Sequence, residues 1–441
     1  MIRADHLGLT SIIRELSLTP VSYNLILHFF RADSWYIGTV RQTWLQLIAR
    51  LPILYRVDGR AVMVGDGVKQ SKEGRFMPGV IKIHQESGNS AKGEYIFGHM
   101  FGGLGVIIGG MHNKLYCLLI SLKLHCGLEA INGWDGNEKY KEESHVVKMV
   151  RDAIEAVREL GPSILLLDRL YLTVPMLIAL STASNLHVVT KAKTNAAAYL
   201  DPEPKNGRGA KRKKGEKVLV SSLFRAKAKE FRTVTATLYG KNQSVRYYDT
   251  DLLWGNKLYQ KLRFVLAVFN GDETILVSTD LTLSPEQIIE LYCHRFKIEC
   301  SFRELKQVVA GFSYRFWSKD MPKLDKFIKN KESQDKLTKI VDENARVNIK
   351  LTVGAIERFA LLGSIALGLL QIISLLFANT FSDPAVRYLR TKSNTVPSEA
   401  TVAHFMRKSI FRLLRSFPDL TISRLISSRE INISSIDGIC A

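Results

Sequence analysis

The stretch Ala61-Val-Met-Val-Gly-Asp66 opens a series of short apolar runs, bounded by glycine, that organises the first half of the chain. Similar runs follow at 95–110 and 115–124, and runs of this length are typical of strands. The order of three strands followed by helix, strand, helix and strand predicts a mixed-sheet α/β fold. These later four elements are predicted at about 142–160, 164–167, 174–182 and 186–190.

Both ends of the chain are predicted to be helical. Residues 1–57 carry apolar positions at spacings of three and four, as in Leu25, Ile26 and Phe29. They could form a small DNA-binding or dimerisation module, or a helical cap packed on the main domain. Residues 381–441 are predicted to be a C-terminal helical tail.

The composition indicates a folded, basic protein. The chain has 441 residues with 62 Lys and Arg against 42 Asp and Glu, a net charge of +20. An ordinary apolar content excludes a wholly disordered or collagen-like chain. Such a charge favours a polyanionic partner, with nucleic acid first and an anionic membrane surface second. Five cysteines, an odd number, favour a reducing compartment. Since Arg14 and Glu15 interrupt any signal-peptide layout, we expect a cytoplasmic protein.

One apolar segment has nearly the length of a membrane span. Residues 359–377 carry no charge over 19 positions. Four of them, Ser364, Gly368, Gln371 and Ser374, recur at helical spacing along one narrow stripe. Such a stripe suits a helix buried in a protein, so we expect no membrane contact.

A change of composition follows the predicted strand at 186–190. Residues 205–217 contain seven basic residues, one acid and three glycines, which predicts a flexible loop. Strand-like alternation over 231–280 then suggests a β-rich insertion, taken as 196–280, before the next helix. The insertion would divide a catalytic core into a first part, 58–195, and a second part, 281–380.

The next helix has clear start and stop signals. Ser284 suits the N-cap, Pro285 the first helical position and Gln287 a capping box, and Gly311 supplies the stop. These signals predict one continuous helix on the order of 35 Å long.

A polar stripe runs along this predicted helix. Tyr292, Glu299 and Lys306 lie within about 40° of one another, and Arg295 precedes Glu299 by one turn. A carboxylate that holds a divalent cation, flanked by donors for phosphate oxygens, suits phosphodiester chemistry. The alternative is an ordinary surface ion pair beside a packing tyrosine. A separate, apolar stripe would be the buried face: Leu291, Ile298, Phe302, Leu305 and Val309.

The spacing Tyr-x2-Arg-x3-Glu-x6-Lys resembles the signature of the DDE transposases of the insertion-sequence-four group. The segment Phe312-Ser-Tyr-Arg-Phe-Trp317 also resembles that family, and the resemblance extends from about residue 60 to the C-terminus. It implies an RNase H-like mixed sheet flanked by helices, in which two aspartates and one glutamate gather two Mg2+ ions. Mn2+ is a possible substitute.

The resemblance implies which carboxylates form this set. The first aspartate should close the first strand, as Asp66 does, whereas Asp58 precedes Gly59 and suits a turn. The second should end the fourth strand, as Asp168 does, and Glu299 is the third. We expect the strands carrying the two aspartates to be neighbours.

A zinc cluster is the competing metal site. Its residues would be His99, His112, His125, Cys117 and Cys126. Their spacing matches no zinc pattern, so we interpret them as core or sheet residues.

The resemblance also implies the activity: hydrolytic nicking at the element end, attack by the freed 3′-hydroxyl and strand transfer. Tyr292, Arg295 and Lys306 would hold phosphates of double-stranded DNA, namely the terminal inverted repeats and the target. A homodimer would pair the ends, and the enzyme would work on the nucleoid.

Further DNA contacts are expected outside this helix. Lys191 and Lys193, directly after the fifth strand, are candidates for backbone contacts. Trp254 could stack on an unpaired base, or lie in the core of the insertion.

Three other functions stay open on the sequence. The chain could be a catalytically inactive DNA-binding descendant of a transposase, or a generic RNase H-like nuclease without end specificity. It could also be a membrane-associated basic protein built around residues 359–377.

Overall fold

The structure is a computed structural model that describes residues 8–85, 93–109, 114–135, 141–204, 211–325, 329–381 and 396–429. Within them, 13 strands form one mixed sheet flanked by helices, which confirms the predicted α/β class. The strands are β1 (Arg56–Val57), β2 (Arg60–Ser71), β3 (Ile81–His84), β4 (Tyr95–Gly109), β5 (Leu115–Leu124), β6 (Ser163–Leu166), β7 (Leu186–Lys191), β8 (Ala197–Tyr199), β9 (Lys217–Leu219), β10 (Arg232–Leu238), β11 (Lys241–Trp254), β12 (Gln260–Phe269) and β13 (Asp272–Ser278).

The described helices precede, interrupt and follow these strands. They are α1 (Leu9–Glu15), α2 (Ser22–Arg31), α3 (Ile37–Ala49), α4 (Glu129–Gly133), α5 (His145–Leu160), α6 (Val174–Leu180), α7 (Leu223–Ala226), α8 (Pro285–Cys293), α9 (Lys297–Gln307), α10 (Asn330–Thr338), α11 (Glu343–Leu376), α12 (Glu399–Ser416) and α13 (Thr421–Ser427).

The centre of the sheet has the order β5, β4, β2, β6, β7. β2 pairs antiparallel with β4 and parallel with β6, and β6 pairs parallel with β7. Side chains alternate across the sheet, so that Val62 and Val64 join one core cluster while Ala61 and Met63 join the other. Both faces of the sheet are therefore buried.

The strands of the expected insertion continue this same sheet. β13 pairs antiparallel with β7, then β12 with β13, and β11 with β12. The segment is β-rich as predicted, but its strands do not form a sheet of their own. Sequence alternation shows that a strand exists, whereas long-range backbone pairing decides which sheet it joins. Of the basic loop, residues 205–210 lie outside the described residues.

The three N-terminal helices pack on the core, as the helical-cap alternative requires. The Trp44 indole is buried and donates a hydrogen bond to the Leu119 carbonyl at 3.1 Å. The buried Arg358 guanidinium donates to the Phe30 carbonyl at 2.8 Å. These contacts tie α2 and α3 to β5 and α11.

The uncharged segment 359–377 lies mostly in α11. By length and composition this is the one helix among the described residues that could cross a membrane, and 67% of its apolar window is buried inside the protein. Its predicted polar stripe has internal partners. Gln371 donates to the Glu399 carboxylate at 3.2 Å, and Ser374 donates to the Pro397 carbonyl at 2.5 Å.

Candidate active site

Two aspartates follow the end of the parallel pairing between the neighbouring strands β2 and β6. The last pair is Val64 opposite Leu166, and Asp66 and Asp168 each come two residues later, with Asp168 outside β6. The charge of Asp168 raises the pKa of Asp66, so the two carboxyls lie within electrostatic reach of each other. The Thr190 hydroxyl donates to the Asp168 backbone carbonyl at 2.9 Å, which ties the turn after β6 to β7.

Asp66 does not close its strand, contrary to the prediction. β2 continues to Ser71, because β4 pairs with it as far as Ser71 opposite Gly98. Only the parallel pairing with β6 ends before Asp66. At Asp66, β2 is therefore no longer paired with β6 on one edge but is still paired with β4 on the other.

The helix that carries Glu299 is interrupted, and the prediction of one continuous helix is wrong. The Ser284 capping box is formed, but α8 ends at Cys293 and a 3-10 turn, His294–Phe296, precedes α9. The break falls where the His294 ring packs edge-on against Tyr55 at 5.4 Å. Helical periodicity cannot reveal such a tertiary contact.

The end of α9 also differs from the prediction. The helix ends at Gln307, and the left-handed residue is Ala310, with φ of 52°, instead of Gly311. The Gly311 N–H donates to the Leu305 carbonyl at 2.8 Å.

The apolar side of α9 is anchored on β4 and β5. Ile298, Phe302 and Leu305 are buried as predicted. A Cβ at Gly103 would lie 2.6 Å from the Phe302 ring, so the absence of a side chain there lets the helix approach the sheet. The Ser301 hydroxyl donates to the Cys117 carbonyl at 2.5 Å. Glu299 lies on the same helix and pairs with Arg295, which in turn reaches Asp66 on β2.

Arg295 connects two of the three candidate carboxylates. Its guanidinium lies 3.3 Å from Asp66 Oδ2, across 229 residues of sequence, and also pairs with Glu299. Burial lowers the pKa of Arg295, but the Glu299 and Asp66 charges outweigh it and raise that pKa overall. Arg295 and Glu299 thus form the i,i+4 ion pair that the alternative interpretation expects on a helix surface. Arg295 also pairs with Asp66 on β2, so the interaction extends beyond the helix.

The Asp66 carboxyl is held in an unfavourable setting for an anion. Its pKa is raised to about 6, mainly by burial and to a smaller extent by the charges of Asp168 and Glu299. Arg295 and the Gly67 N–H, which donates at 2.7 Å, oppose this rise. The Asp168 and Glu299 carboxylates are therefore close enough to disfavour the ionisation of Asp66.

These carboxylates suit a hard divalent cation in their chemistry. Oxygen donors of this kind are the usual ligands of Mg2+ and Mn2+. Within the described ranges, however, no group of three or more His, Cys, Asp or Glu side chains lies close enough to hold a metal ion. Arg295 pairs with both Asp66 and Glu299 and supplies the positive charge between them. Asp66, Asp168 and Glu299 therefore suit a divalent cation by the chemistry of their oxygen atoms, but not by their spacing in this structure.

The histidines and cysteines considered for zinc serve other contacts. Buried His99 bonds to the Tyr314 hydroxyl at 2.6 Å and to the Pro78 carbonyl at 2.9 Å. Cys117 is a buried free thiol, and Cys126 is also free. His112 lies outside the described residues.

Of the predicted DNA-contacting residues, Tyr292 lies within electrostatic reach of Asp66 and Asp168. Tyr292 is partly buried, and burial raises the pKa of its phenol. Lys306 Nζ lies 3.5 Å from the Lys69 carbonyl. Lys191 donates to the Thr274 hydroxyl at 3.3 Å.

Two further candidates differ in exposure. Lys193 is exposed directly after β7. Trp254 is partly buried against the core cluster that the insertion shares with β2 and β6, instead of lying in a separate core of the insertion.

A buried chain of polar side chains beside the site was not anticipated. The Tyr171 hydroxyl bonds to His145 Nε2 at 2.6 Å, and His145 Nδ1 bonds to His125 at 2.7 Å. His125 Nε2 lies 3.3 Å from Asp152, which also receives a hydrogen bond from Lys123 at 2.5 Å. Its members come from three separate parts of the chain, namely the end of β5, α5 and the turn after β6, so no local spacing signals the chain.

The comparison with known families agrees with this arrangement. Residues 136–319 match the family described as transposase DDE domain. No curated protein and no solved structure matches the chain. The matched range contains Asp168 and Glu299 but not Asp66. The match supports a DDE transposase, a DNA-binding class that generally uses divalent metal, and the mixed sheet is consistent with an RNase H-like transposase fold.

Proposed function

We propose that this protein is a DNA transposase of the insertion-sequence-four group. It would hydrolyse phosphodiesters and transfer strands at the ends of an insertion sequence, with Mg2+ or, as a substitute, Mn2+. It would act in the cytoplasm on the nucleoid, as a homodimer that pairs two terminal inverted repeats. The observation that carries the proposal is that Arg295 pairs with both Asp66 on β2 and Glu299 on α9, in a chain whose residues 136–319 match the transposase DDE domain family.

Asp66, Asp168 and Glu299 would hold the ions in this proposal. When bound, the ions would lower the pKa of a water or align a 3′-hydroxyl, and would stabilise the leaving oxygen. In this proposal the chain's own contribution would be to place the acids on the central sheet and on the helix packed against it. Burial is the main cause of the raised pKa of Asp66, and a bound cation would favour its ionised form.

Arg295 would exchange partners when DNA binds. With carboxylate charge neutralised by cations, its guanidinium could instead hold two oxygens of one phosphate. Tyr292, whose raised pKa keeps the phenol protonated, would donate a hydrogen bond to the same strand. Lys306, two turns after Glu299, would contact a phosphate further along as a point charge.

The experiment is Mg2+-dependent nicking and strand transfer on DNA that carries the element's ends, with scrambled ends for comparison. Asp66→Asn, Asp168→Asn and Glu299→Gln should each lose cleavage while retaining DNA binding. Glu304→Gln, on the same helix but paired with Arg303, is the matched control and should cleave normally.

Two results would contradict the proposal. Wild-type protein that binds DNA but never cuts in Mg2+ or Mn2+ would be an inactive DNA-binding descendant. Cutting without preference for the ends, and without strand transfer, would indicate a generic nuclease.

A further inference from the structure

A groove of about 880 Å³ opens beside the far end of the Glu299 helix. We call it the basic groove. Its walls are the end of β2, the turn that follows, and the extended segment 312–317. The residues that matter for its chemistry are Lys72, Arg75, Phe76, Lys306, Arg315 and Trp317.

The segment 312–317 presents one face to the core and the other to this groove. Phe312, Tyr314 and Phe316 are buried, and the residues that alternate with them, Arg315 and Trp317, are exposed. Trp317 leaves 57% of its surface exposed, a large value for so apolar a residue. The Arg315 guanidinium and the Trp317 indole therefore lie on the same, exposed face of this extended segment.

Lys72, in the turn after β2, binds the extended segment 312–317 that forms the facing side of the groove. Its ammonium donates to the Phe312 carbonyl at 2.6 Å and to the Tyr314 carbonyl at 3.0 Å, and lies 3.6 Å from the Tyr314 ring. Its pKa is lowered to about 7, mainly by burial and also by the nearby Arg315 charge. Four basic side chains line the groove against one acid, Glu73. A bound anion would relieve this repulsion.

The groove and the candidate active site lie along the same two elements, β2 and α9. Lys306 lines it and comes two turns after Glu299 on α9. Along β2, Gln70 at the groove lies about 13 Å from Asp66, at 3.3 Å per residue. That distance corresponds to roughly four nucleotides at B-form spacing, and to fewer in an extended strand.

Exposed aromatics interleaved with arginines are the usual platform for unpaired nucleotides, because every base has a face that stacks. We propose that the basic groove binds an unpaired segment of the DNA strand that reacts at the carboxylates. Bases would stack on Trp317 and Phe76, and phosphates would pair with Arg75 and Arg315. This inference rests on the proposed function, since it takes the groove's DNA from that site.

Binding of the full chain to two DNA probes in EDTA tests the inference without any cleavage. One probe is a blunt duplex, and the other is the same duplex with a single-stranded extension of about four nucleotides. Wild-type protein should bind the extended probe about tenfold more tightly. Trp317→Ala should abolish that preference and leave affinity for the blunt duplex unchanged.

Matched controls separate the groove from general surface effects. Phe417→Ala removes an aromatic of similar exposure, 55%, outside the groove and should keep the preference. Arg315→Ala should reduce the slope of log affinity against log salt by about 1 for the extended probe, whereas Arg412→Ala should not.

The inference is overturned if wild-type protein binds both probes alike, or if Trp317→Ala keeps the preference. These outcomes are independent of catalysis. Cleavage at element ends without a preference for the extension would remove the groove inference alone. A preference lost in Trp317→Ala, in a protein that never cuts, would remove the proposed function alone.

Discussion

Replacing Asp66 with asparagine should stabilise the protein at neutral and alkaline pH. The side chain is 23% exposed and its pKa is raised from 3.8 to about 6, so the folded state disfavours the ionised form. This difference costs about 3 kcal/mol of stability above pH 6. The cost is absent below about pH 4, where the carboxyl is protonated in both the folded and the unfolded chain. Asparagine resembles the protonated acid and avoids the cost.

Thermal unfolding in EDTA between pH 4 and pH 8 measures the effect. For a chain of this length, about 3 kcal/mol corresponds to a rise in Tm of roughly 3 °C for Asp66→Asn at pH 8. The rise should vanish at pH 4. Asp272→Asn, at an exposed strand start, is the control and should change stability by less than about 0.5 kcal/mol. An equal gain at both pH values, or a loss at pH 8, would refute the reasoning.

Three further substitutions test other contacts. Arg295→Ala should lower the stability in EDTA by about 1–3 kcal/mol, because it leaves two carboxylates without their shared partner. Added Mg2+ should restore the Tm, and a Tm that does not recover would argue against a cation site. Gly103→Ala should cost about 1–3 kcal/mol and reduce cleavage, because the new Cβ would displace Phe302 and α9; unchanged Tm would contradict that packing. Tyr171→Phe should lower the free energy of urea unfolding by about 1–3 kcal/mol, because it leaves Nε2 of the partly buried His145 without its partner. An unchanged free energy of unfolding would mean that water replaces the phenol.

Local sequence signals predicted the elements well wherever their cause is local. The Ser284 capping box forms because its donors and acceptors lie three residues apart. The strand runs around Val64 and Leu166 are apolar because both sheet faces are buried, and their neighbourhood follows from the element order. The sequence alone could therefore predict that Asp66 and Asp168, which follow these runs, lie towards the same edge of the sheet.

Long-range contacts account for what the sequence could not predict. The 3-10 turn at His294 lies against Tyr55, a contact that helical spacing does not reveal, and β2 stays paired with β4 past Asp66. Whether β12 and β13 join the core sheet depends on β7. The reach of Arg295 to Asp66 is likewise invisible in helical spacing, which shows only its neighbour Glu299. The catalytic roles of the three acids stay predictions.

The most direct test of the central claim is whether the three acids bind a divalent cation together. The electron paramagnetic resonance signal of free Mn2+ decreases when the ion binds, and this decrease measures binding. We would compare it in wild type, Asp66→Asn, Glu299→Gln and the Asp272→Asn control. We expect saturable binding that Mg2+ displaces in wild type and the control, and its loss in both site variants. Equal Mn2+ binding by all four proteins would contradict the account.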